Sequence, residues 1–310
     1  MPVIALTGAT GFIGRATLAR LLGSSAKLRF RILVRDPARR SIDDPRIEPI
    51  DGDLSDPAAL EALVAGVDAV VHLAGAIAGS RQRDFDRVNI EGTERLAEAV
   101  ARAAPLAHAL LVSSLAATRP DLSWYAASKA GAERAWRDRL PATSTILRPP
   151  AVYGPDDPAL HDFWRILARG WLIRLGPAEA RFSLVHVDDV AEAIERLLLR
   201  GPSPTPFTLA GPQPHGGWGW PDVARVAETI HGGRIRTLAM PGIALRVAGG
   251  LALAGRRLTG GAALLSPGKV RELRHVDWVC DNLALSAHLD WQPSRRLDRA
   301  LDSLPGWARE

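Results

Sequence analysis

Short apolar runs alternate with amphipathic stretches through the first half of the chain. Val3–Leu6, Arg29–Val34, Ile47–Ile50, Ala69–Leu73, Ala109–Val112 and Thr145–Leu147 are strand candidates, most with apolar residues at consecutive positions. Strands of that kind are apolar on both faces, as a sheet covered by helices on both sides requires. Between most of them the apolar positions recur with a helical period, notably over Phe12–Leu22, Pro57–Val64, Asp84–Ala103 and Ser123–Asp138. This alternation predicts an α/β fold built on a doubly wound parallel sheet, with ligands gathered at the carboxyl ends of its strands.

After Leu147-Arg-Pro-Pro150 the rhythm changes: tryptophans, prolines and glycines are dispersed among shorter elements. Residues 1–150 are therefore expected to form the nucleotide-binding domain and most of 151–310 a smaller, substrate-covering one. The helical pattern that follows His186-Val-Asp-Asp-Val190 points to a return of about 183–200 to the main sheet, which makes the second domain discontinuous. Met240–Leu258 is the most membrane-like stretch, but Arg246, Arg256, Arg257 and several glycines make it a poor spanning helix. Packing on the body of the protein is favoured, and peripheral contact with a bilayer surface stays open.

Composition narrows the function classes. A 310-residue chain that is 47% hydrophobic has ample material for a core. Its net charge of +5 is almost all arginine interleaved with acidic residues, so no nucleic-acid partner is expected. Cys280 is the single cysteine, which rules out an intrachain disulfide and a thiolate zinc cluster. It fits a reducing compartment, and with an opening run that reads as a strand rather than an export signal the expectation is a cytoplasmic protein. His186, Asp188 and Asp189 are read as a strand end and a helix cap rather than as metal ligands.

Directly after the first strand comes Thr7-Gly-Ala-Thr-Gly-Phe-Ile-Gly14. Gly8, Gly11 and Gly14 permit a tight turn, close approach of backbone amides to a pyrophosphate and close helix–strand packing. Between a strand and an amphipathic helix, this array predicts a Rossmann-type dinucleotide site contributed by Gly8, Thr10, Gly11, Phe12, Ile13 and Gly14. At the end of the second strand stand Arg35 and then Asp36. A guanidinium can fork onto a 2′-phosphate, so Arg35, with Arg39 and Arg40 nearby, favours NADP(H); Asp36 keeps NAD(H) open. Asp53 and Leu54 follow the third strand, where a carboxylate and a backbone can frame an adenine. Leu73, Ala74 and Gly75 close the fourth, near the expected nicotinamide ribose.

Chemistry enters with Tyr125 and Lys129, drawn from only two tyrosines and three lysines in the chain. Residues i and i+4 share a helix face, and a cation held beside a phenol lowers its pKa toward the range useful for protonating a carbonyl oxygen.

Thr7–Gly14, Asp53-Leu54, Val88-Asn-Ile-Glu-Gly-Thr93, Val112-Ser-Ser114, Tyr125-x3-Lys129, Leu147-Arg-Pro-Pro-Ala-Val-Tyr-Gly-Pro155 and Val185-His-Val-Asp-Asp-Val190 together resemble the extended branch of the short-chain dehydrogenase/reductase superfamily, the NAD(P)-dependent epimerase/dehydratase-like proteins. The resemblance implies that Tyr125 exchanges the proton and that Lys129 binds the nicotinamide ribose and tunes the tyrosine. It also implies that Ser114 holds the substrate oxygen, with Ser113 packed inward. Asn89, Pro149 and Val152 join the implied cofactor contacts, Asn89 also as a brace for its helix.

Departures from that pattern refine the chemistry. Leu115 stands where the branch's dehydratases place an acid after the catalytic serine or threonine, which speaks against dehydration. Arg181 is displaced by one position from the diphosphate-binding arginine usual in nucleotide-sugar epimerases. The short interval from Ser114 to Tyr125 leaves the site open on one side. Phe163, Trp164, Trp171, Leu172, Trp218 and Trp220 are candidates for an apolar pocket, with core residence the commoner role for such residues. The leading expectation is an NAD(P)-dependent dehydrogenase/reductase acting on a small-molecule carbonyl or alcohol, as a monomer or homodimer. A nucleotide-sugar epimerase and an NADPH-binding accessory or sensor subunit without turnover are the alternatives.

Overall fold

The computed structural model describes residues 1–36, 38, 44–259, 261–263 and 265–307. Within them the chain divides into two compact units, Met1–Arg148 with Ala191–Phe207, and Pro149–Val190 with Thr208–Glu310.

The first unit opens with β1 (Val3–Thr7), α1 (Phe12–Gly23), β2 (Arg29–Val34), β3 (Ile47–Asp51), α2 (Pro57–Val64) and β4 (Ala69–His72). It continues through α3 (Gln82–Asp86), a π turn over Arg87–Glu91, α4 (Gly92–Ala103), β5 (His108–Val112), α5 (Trp124–Arg139) and β6 (Ser144–Arg148). The second unit begins with β7 (Ala151–Tyr153), α6 (His161–Ala168), β8 (Trp171–Arg174), β9 (Arg181–Phe182) and β10 (Leu184–His186). α7 (Val187–Arg200) then leads back into the first unit, and β11 (Phe207–Thr208) completes the main sheet.

That seven-stranded sheet runs in the order β3-β2-β1-β4-β5-β6-β11, and the printed pairings from β3 through β6 are parallel. The order reverses direction between β1 and β4, which is where an open α/β sheet leaves a crevice for a ligand. β4 and β5 are buried at every position, as the unbroken apolar runs require. Leu60, Leu63, Leu96, Val100, Leu110 and Leu111 are among the core side chains, each no more than 1% exposed.

Local signals set the helix starts. Asp56 accepts hydrogen bonds from the amides of Ala58 and Ala59, with Pro57 at the first helical position of α2. Ser123 caps α5 by accepting from Ala126 at 3.0 Å. The helix expected over Asp84–Ala103 is interrupted: the π turn inserts a wider turn at Arg87–Glu91 and places Asn89 inside it.

One expectation is corrected here. Leu184–His186 pairs with β7 in the second unit (Val185 opposite Val152) rather than with the main sheet, and the returning segment is Ala191–Phe207. Arg20 on α1 ties that segment down through Glu195 at 2.6 Å and Glu192 at 3.3 Å. The Asp189 carboxylate, in the first turn of α7, accepts from the amides of Ser294 and Arg295.

The rest of the second unit comprises β12 (Trp218–Gly219), α8 (Trp220–His231), β13 (Arg236–Ala239), α9 (Gly242–Thr259), α10 (Pro267–Leu273), β14 (Asp277–Trp278), α11 (Leu283–Leu289) and α12 (Leu297–Ala300). Trp164, Leu172 and Trp218 are buried in its core, with Phe163 and Trp220 packed against them. These side chains form the core of the unit rather than the wall of an apolar pocket. Trp171 is 41% exposed and stacks under the Arg236 guanidinium.

Trp136 joins α5 to the sheet: it is fully buried, donates its indole N–H to the Ala109 carbonyl at 3.4 Å and stacks on His72. Trp136→Ala removes both contacts and opens a cavity, so it should cost about 3–5 kcal/mol in urea denaturation; a cost below about 1 kcal/mol would contradict this packing.

Candidate active site

The glycine turn is built as a dinucleotide cradle needs. Gly8 has φ +72°, and a Cβ there would sit 2.6 Å from the Ala74 amide nitrogen. A Cβ on Gly14 would fall 2.0 Å from the Gly8 carbonyl oxygen, so only glycine lets α1 start this close to β1. Gly11 is the N-cap of α1; no side chain caps this terminus, and no acidic residue stands in the first turn. That leaves a helix N-terminus presented to an anion. Thr10, Phe12 and Ile13 are part-buried around it.

Register then places polar groups side by side at the strand ends. Thr7 pairs with His72 across β1 and β4, and Thr7 Oγ1 lies 2.6 Å from His72 Nδ1. His72 Nε2 lies 2.9 Å from Thr93 Oγ1, which donates its only proton to the Asn89 carbonyl at 2.6 Å. Thr93 must therefore accept from His72, which fixes the neutral Nε2–H tautomer; Thr7 donates to Nδ1. Burial, and after it the Lys129 cation, push the His72 pKa down to about 3, so the ring stays neutral. The Ala74 amide donates to Thr7 Oγ1 at 3.3 Å, linking this chain to the loop Leu73–Gly75.

Asn89 passes the chain to α5. Its side chain accepts from the Ala76 amide at 2.7 Å, and its Nδ2 donates to the Ala76 carbonyl at 3.0 Å and to Ser128 Oγ at 2.8 Å. Ser128 donates to the Tyr125 carbonyl at 2.8 Å. The side chain of Asn89 is thus a brace between the loop after β4 and the first turn of α5.

Lys129 is 6% exposed, and its Nζ donates to the Val112 carbonyl at the end of β5 at 3.0 Å. Desolvation pushes its pKa down to about 8, opposed by the negative charge of Glu133. A Cβ on Gly75 would sit 3.2 Å from Asn89 Oδ1 and 4.0 Å from Lys129 Nζ, so glycine keeps open the strand-end space in front of the lysine. Tyr125 is part-buried one turn earlier on the same helix and meets Phe85 edge-on at 6.4 Å. Ser113 turns inward and donates to Glu133 at 2.6 Å. Ser114 begins a short 3₁₀ turn, accepts from the Ala116 amide at 3.2 Å and keeps its own proton out of that bond.

Glu133 was not singled out from the sequence, although it continues the i, i+4 row of Tyr125 and Lys129. It is 2% exposed and receives both arms of Arg148, at 2.8 Å and 2.5 Å. Thr7, Thr93 and Ser128 were also missed as polar links; their roles depend on strand register and on the π turn. Arg148 is thereby an anchor for α5, and Arg181 is paired with Asp222 at 3.3 Å.

At the adenosine end, Arg35 and Asp36 are both exposed, and Asp36 accepts from the Ala38 amide at 3.1 Å. Asp53 accepts from the Ser55 amide and hydroxyl; these bonds, with smaller help from Arg35 and Arg87, lower its pKa. Leu54 is buried, its side chain packed against Gly92. Arg39 and Arg40 lie outside the described residues. Pro149 and Val152 belong to the second unit, just before and on β7. Among the described residues no group of three His, Cys, Asp or Glu side chains is placed to hold a metal ion.

The sequence profile of the NAD dependent epimerase/dehydratase family matches residues 4–210. The chain is 38% identical over 278 residues to a ceramide reductase of Caulobacter vibrioides, covering 89% of this chain and 86% of that protein. It is 32% identical over 204 residues to the mitochondrial NADH dehydrogenase [ubiquinone] 1 alpha subcomplex subunit 9 of Arabidopsis thaliana, spanning 62% of this chain but 49% of that subunit. In fold it is similar to a dTDP-glucose 4,6-dehydratase from Bacillus anthracis solved with NAD, with TM-score 0.72, 17% identity and coverage of 99% and 96% of the two chains.

Lys129 sets a pH signature. Its pKa in the folded chain is about 8, below the ordinary 10.5, so between these values the unfolded chain binds the additional proton and stability rises with pH. Relative to Lys129→Met, the wild-type apoprotein should gain up to about 3 kcal/mol as pH climbs through that window. Denaturant unfolding at a series of pH values measures it, and parallel profiles for the two proteins would contradict the burial of this charge.

Proposed function

The chain belongs to the NAD dependent epimerase/dehydratase family of nucleotide-binding, Rossmann-fold oxidoreductases, and on that premise we propose that it is an NADP(H)-dependent reductase of a carbonyl carried on a ceramide-type lipid. The observation that carries the chemistry is the Lys129 ammonium, buried at the end of β5 and one helical turn from Tyr125. The substrate class is supported by the similarity to the ceramide reductase along most of both chains.

The residues fit the cofactor: the glycine turn of β1–α1 for a pyrophosphate, Asp53 and the Leu54 backbone for an adenine, Gly75 and Lys129 for a nicotinamide ribose, and Arg35 for a 2′-phosphate. A dinucleotide held by these residues would supply hydride chemistry, as donor to a carbonyl carbon or acceptor from an alcohol. Tyr125 gives its phenolic proton to the carbonyl oxygen in the reductive direction and recovers it from solvent. Ser114 donates a hydrogen bond to that oxygen, where negative charge grows in the transition state. Lys129, held by Val112, places a cation on the tyrosine's face of α5 and favours the phenolate left after transfer. Asn89 and Ser128 hold the Tyr125 turn in place. With Leu115 after Ser114 there is no second acid for elimination of water. Cys280, its pKa pushed up to about 11 by burial, is a poor nucleophile, and a reducing, cytoplasmic setting accompanies this proposal.

Two expected outcomes follow from these roles. Tyr125→Phe should reduce kcat for NADPH-dependent reduction by about 10²–10⁴-fold and leave NADPH affinity within about twofold, measured by loss of nicotinamide absorbance and by titration calorimetry; unchanged kcat would remove Tyr125 from the mechanism. Arg35→Ala should weaken NADPH binding about tenfold or more with little effect on NADH, and the opposite order would assign the site to NAD(H). NADPH binding without turnover on carbonyl lipids would favour a non-catalytic subunit, a role to which the likeness to the NADH dehydrogenase subunit lends support.

A further inference from the structure

α9 has two apolar faces, and among the described residues only one of them is covered. Leu245, Gly249 and Leu253 are buried, and a Cβ on Gly249 would lie 3.2 Å from Val270 of α10, so this row seats α9 on its neighbour. Ile243, Val247, Leu251 and Leu258 are 68%, 57%, 68% and 88% exposed. Ile243, Val247 and Leu251 precede the buried row by two residues each, which is about 200° around a helix. The exposed row therefore runs along the side opposite the packed one.

Charge says what covers it. The helix carries Arg246, Arg256 and Arg257, all exposed, and no acidic residue anywhere in its 18 residues. At about 100° per residue, Arg246 and Arg257 fall along one edge of the exposed apolar row. A second copy of the chain seated on this face would set arginines against arginines. The exposed row of one helix is a convex apolar ridge, and such a ridge edged with cations matches the surface of an anionic bilayer. It does not match a span: among the described residues no helix is long and apolar enough to cross a membrane.

We propose that the exposed face of α9 is a peripheral membrane-docking surface, with Ile243, Val247, Leu251 and Leu258 entering the acyl boundary of an anionic bilayer and Arg246 and Arg257 held at its headgroups. This goes beyond the catalytic roles assigned above and does not depend on them. Each arginine brought to an anionic surface strengthens binding about fivefold.

Sedimentation of the full chain with vesicles tests it. Wild-type protein should co-sediment with phosphatidylcholine vesicles containing about 30 mol % phosphatidylglycerol, should bind pure phosphatidylcholine at least about tenfold more weakly, and should be released by about 0.5 M salt. Val247→Glu/Leu251→Glu, and separately Arg246→Gln/Arg257→Gln, should each lower the vesicle partition coefficient about tenfold or more, while NADPH affinity and the melting temperature stay at wild-type values. No binding by the wild type, or arginine variants that bind as tightly as wild type, would overturn the proposal. So would size-exclusion data in which a wild-type dimer becomes a monomer on Val247→Glu/Leu251→Glu, because a second copy would then be the occupant.

Discussion

A charged lysine inside the protein is the constraint around which the first unit is arranged. Taking an ammonium out of water costs several kcal/mol unless partners replace the lost solvation. Lys129 has the Val112 carbonyl and the field of Glu133 for that purpose. Glu133 is itself buried and is shared by Ser113 and the two arms of Arg148. One carboxylate thus ties α5 to the ends of β5 and β6, and its loss would strand a half-buried guanidinium at a cost of about 3–5 kcal/mol. The compensation is incomplete: desolvation still outweighs it in the lysine's pKa. A cation held under that tension suits the roles proposed for Lys129, stabilising a phenolate and meeting a ribose.

A second, neutral line of hydrogen bonds complements the charged one. From the Ala74 amide through Thr7, His72 and Thr93 to Asn89, each proton has one place to go, and the tautomer of His72 follows from that count. Protonation of His72 would leave two donors facing Thr7 and Thr93 and break the direction of the line, and burial among apolar neighbours prevents it. The line runs from the glycine turn, where a dinucleotide fits, to the π turn that carries Asn89 and on to the Tyr125 turn. The proposed cofactor cradle and the proposed proton donor are therefore held in one connected frame rather than on separate loops. The proposed membrane contact lies in the other unit, on α9, and draws on different physics, exposed apolar area and exposed arginines.

Much of the frame was legible in the sequence because it rests on local rules. The consecutive apolar runs predicted the parallel strands, the glycine array predicted the turn before α1, and Tyr125 and Lys129 stood out by rarity and spacing. Their placement on one helix face required only a period of 3.6. What escaped depended on non-local pairing: that Thr7 meets His72 follows from strand register, and that Asn89 sits in a π turn follows from packing within the helical segment. The strand 184–186 was assigned to the main sheet because its apolar pattern does not say which neighbour it takes, and its partner proved to be β7. The tryptophans of 151–310 read equally as pocket or core until packing was visible. Glu133 had a signal, the continued i, i+4 row, but an acid in a charged helix looks like a solvated one until its burial is known.

With three lysines in the chain, selective ¹³C labelling of lysine side chains gives a spectrum in which Lys129 can be assigned by comparison with Lys129→Met. Titration of its Cε resonance in the apoprotein is the most direct measurement of the buried charge. A midpoint near 8, well below the ordinary lysine value of about 10.4, is the predicted result. A Lys129 midpoint at the ordinary lysine value of about 10.4 would mean a solvated ammonium, and the arrangement of α5, Glu133 and the end of β5 described above would be wrong.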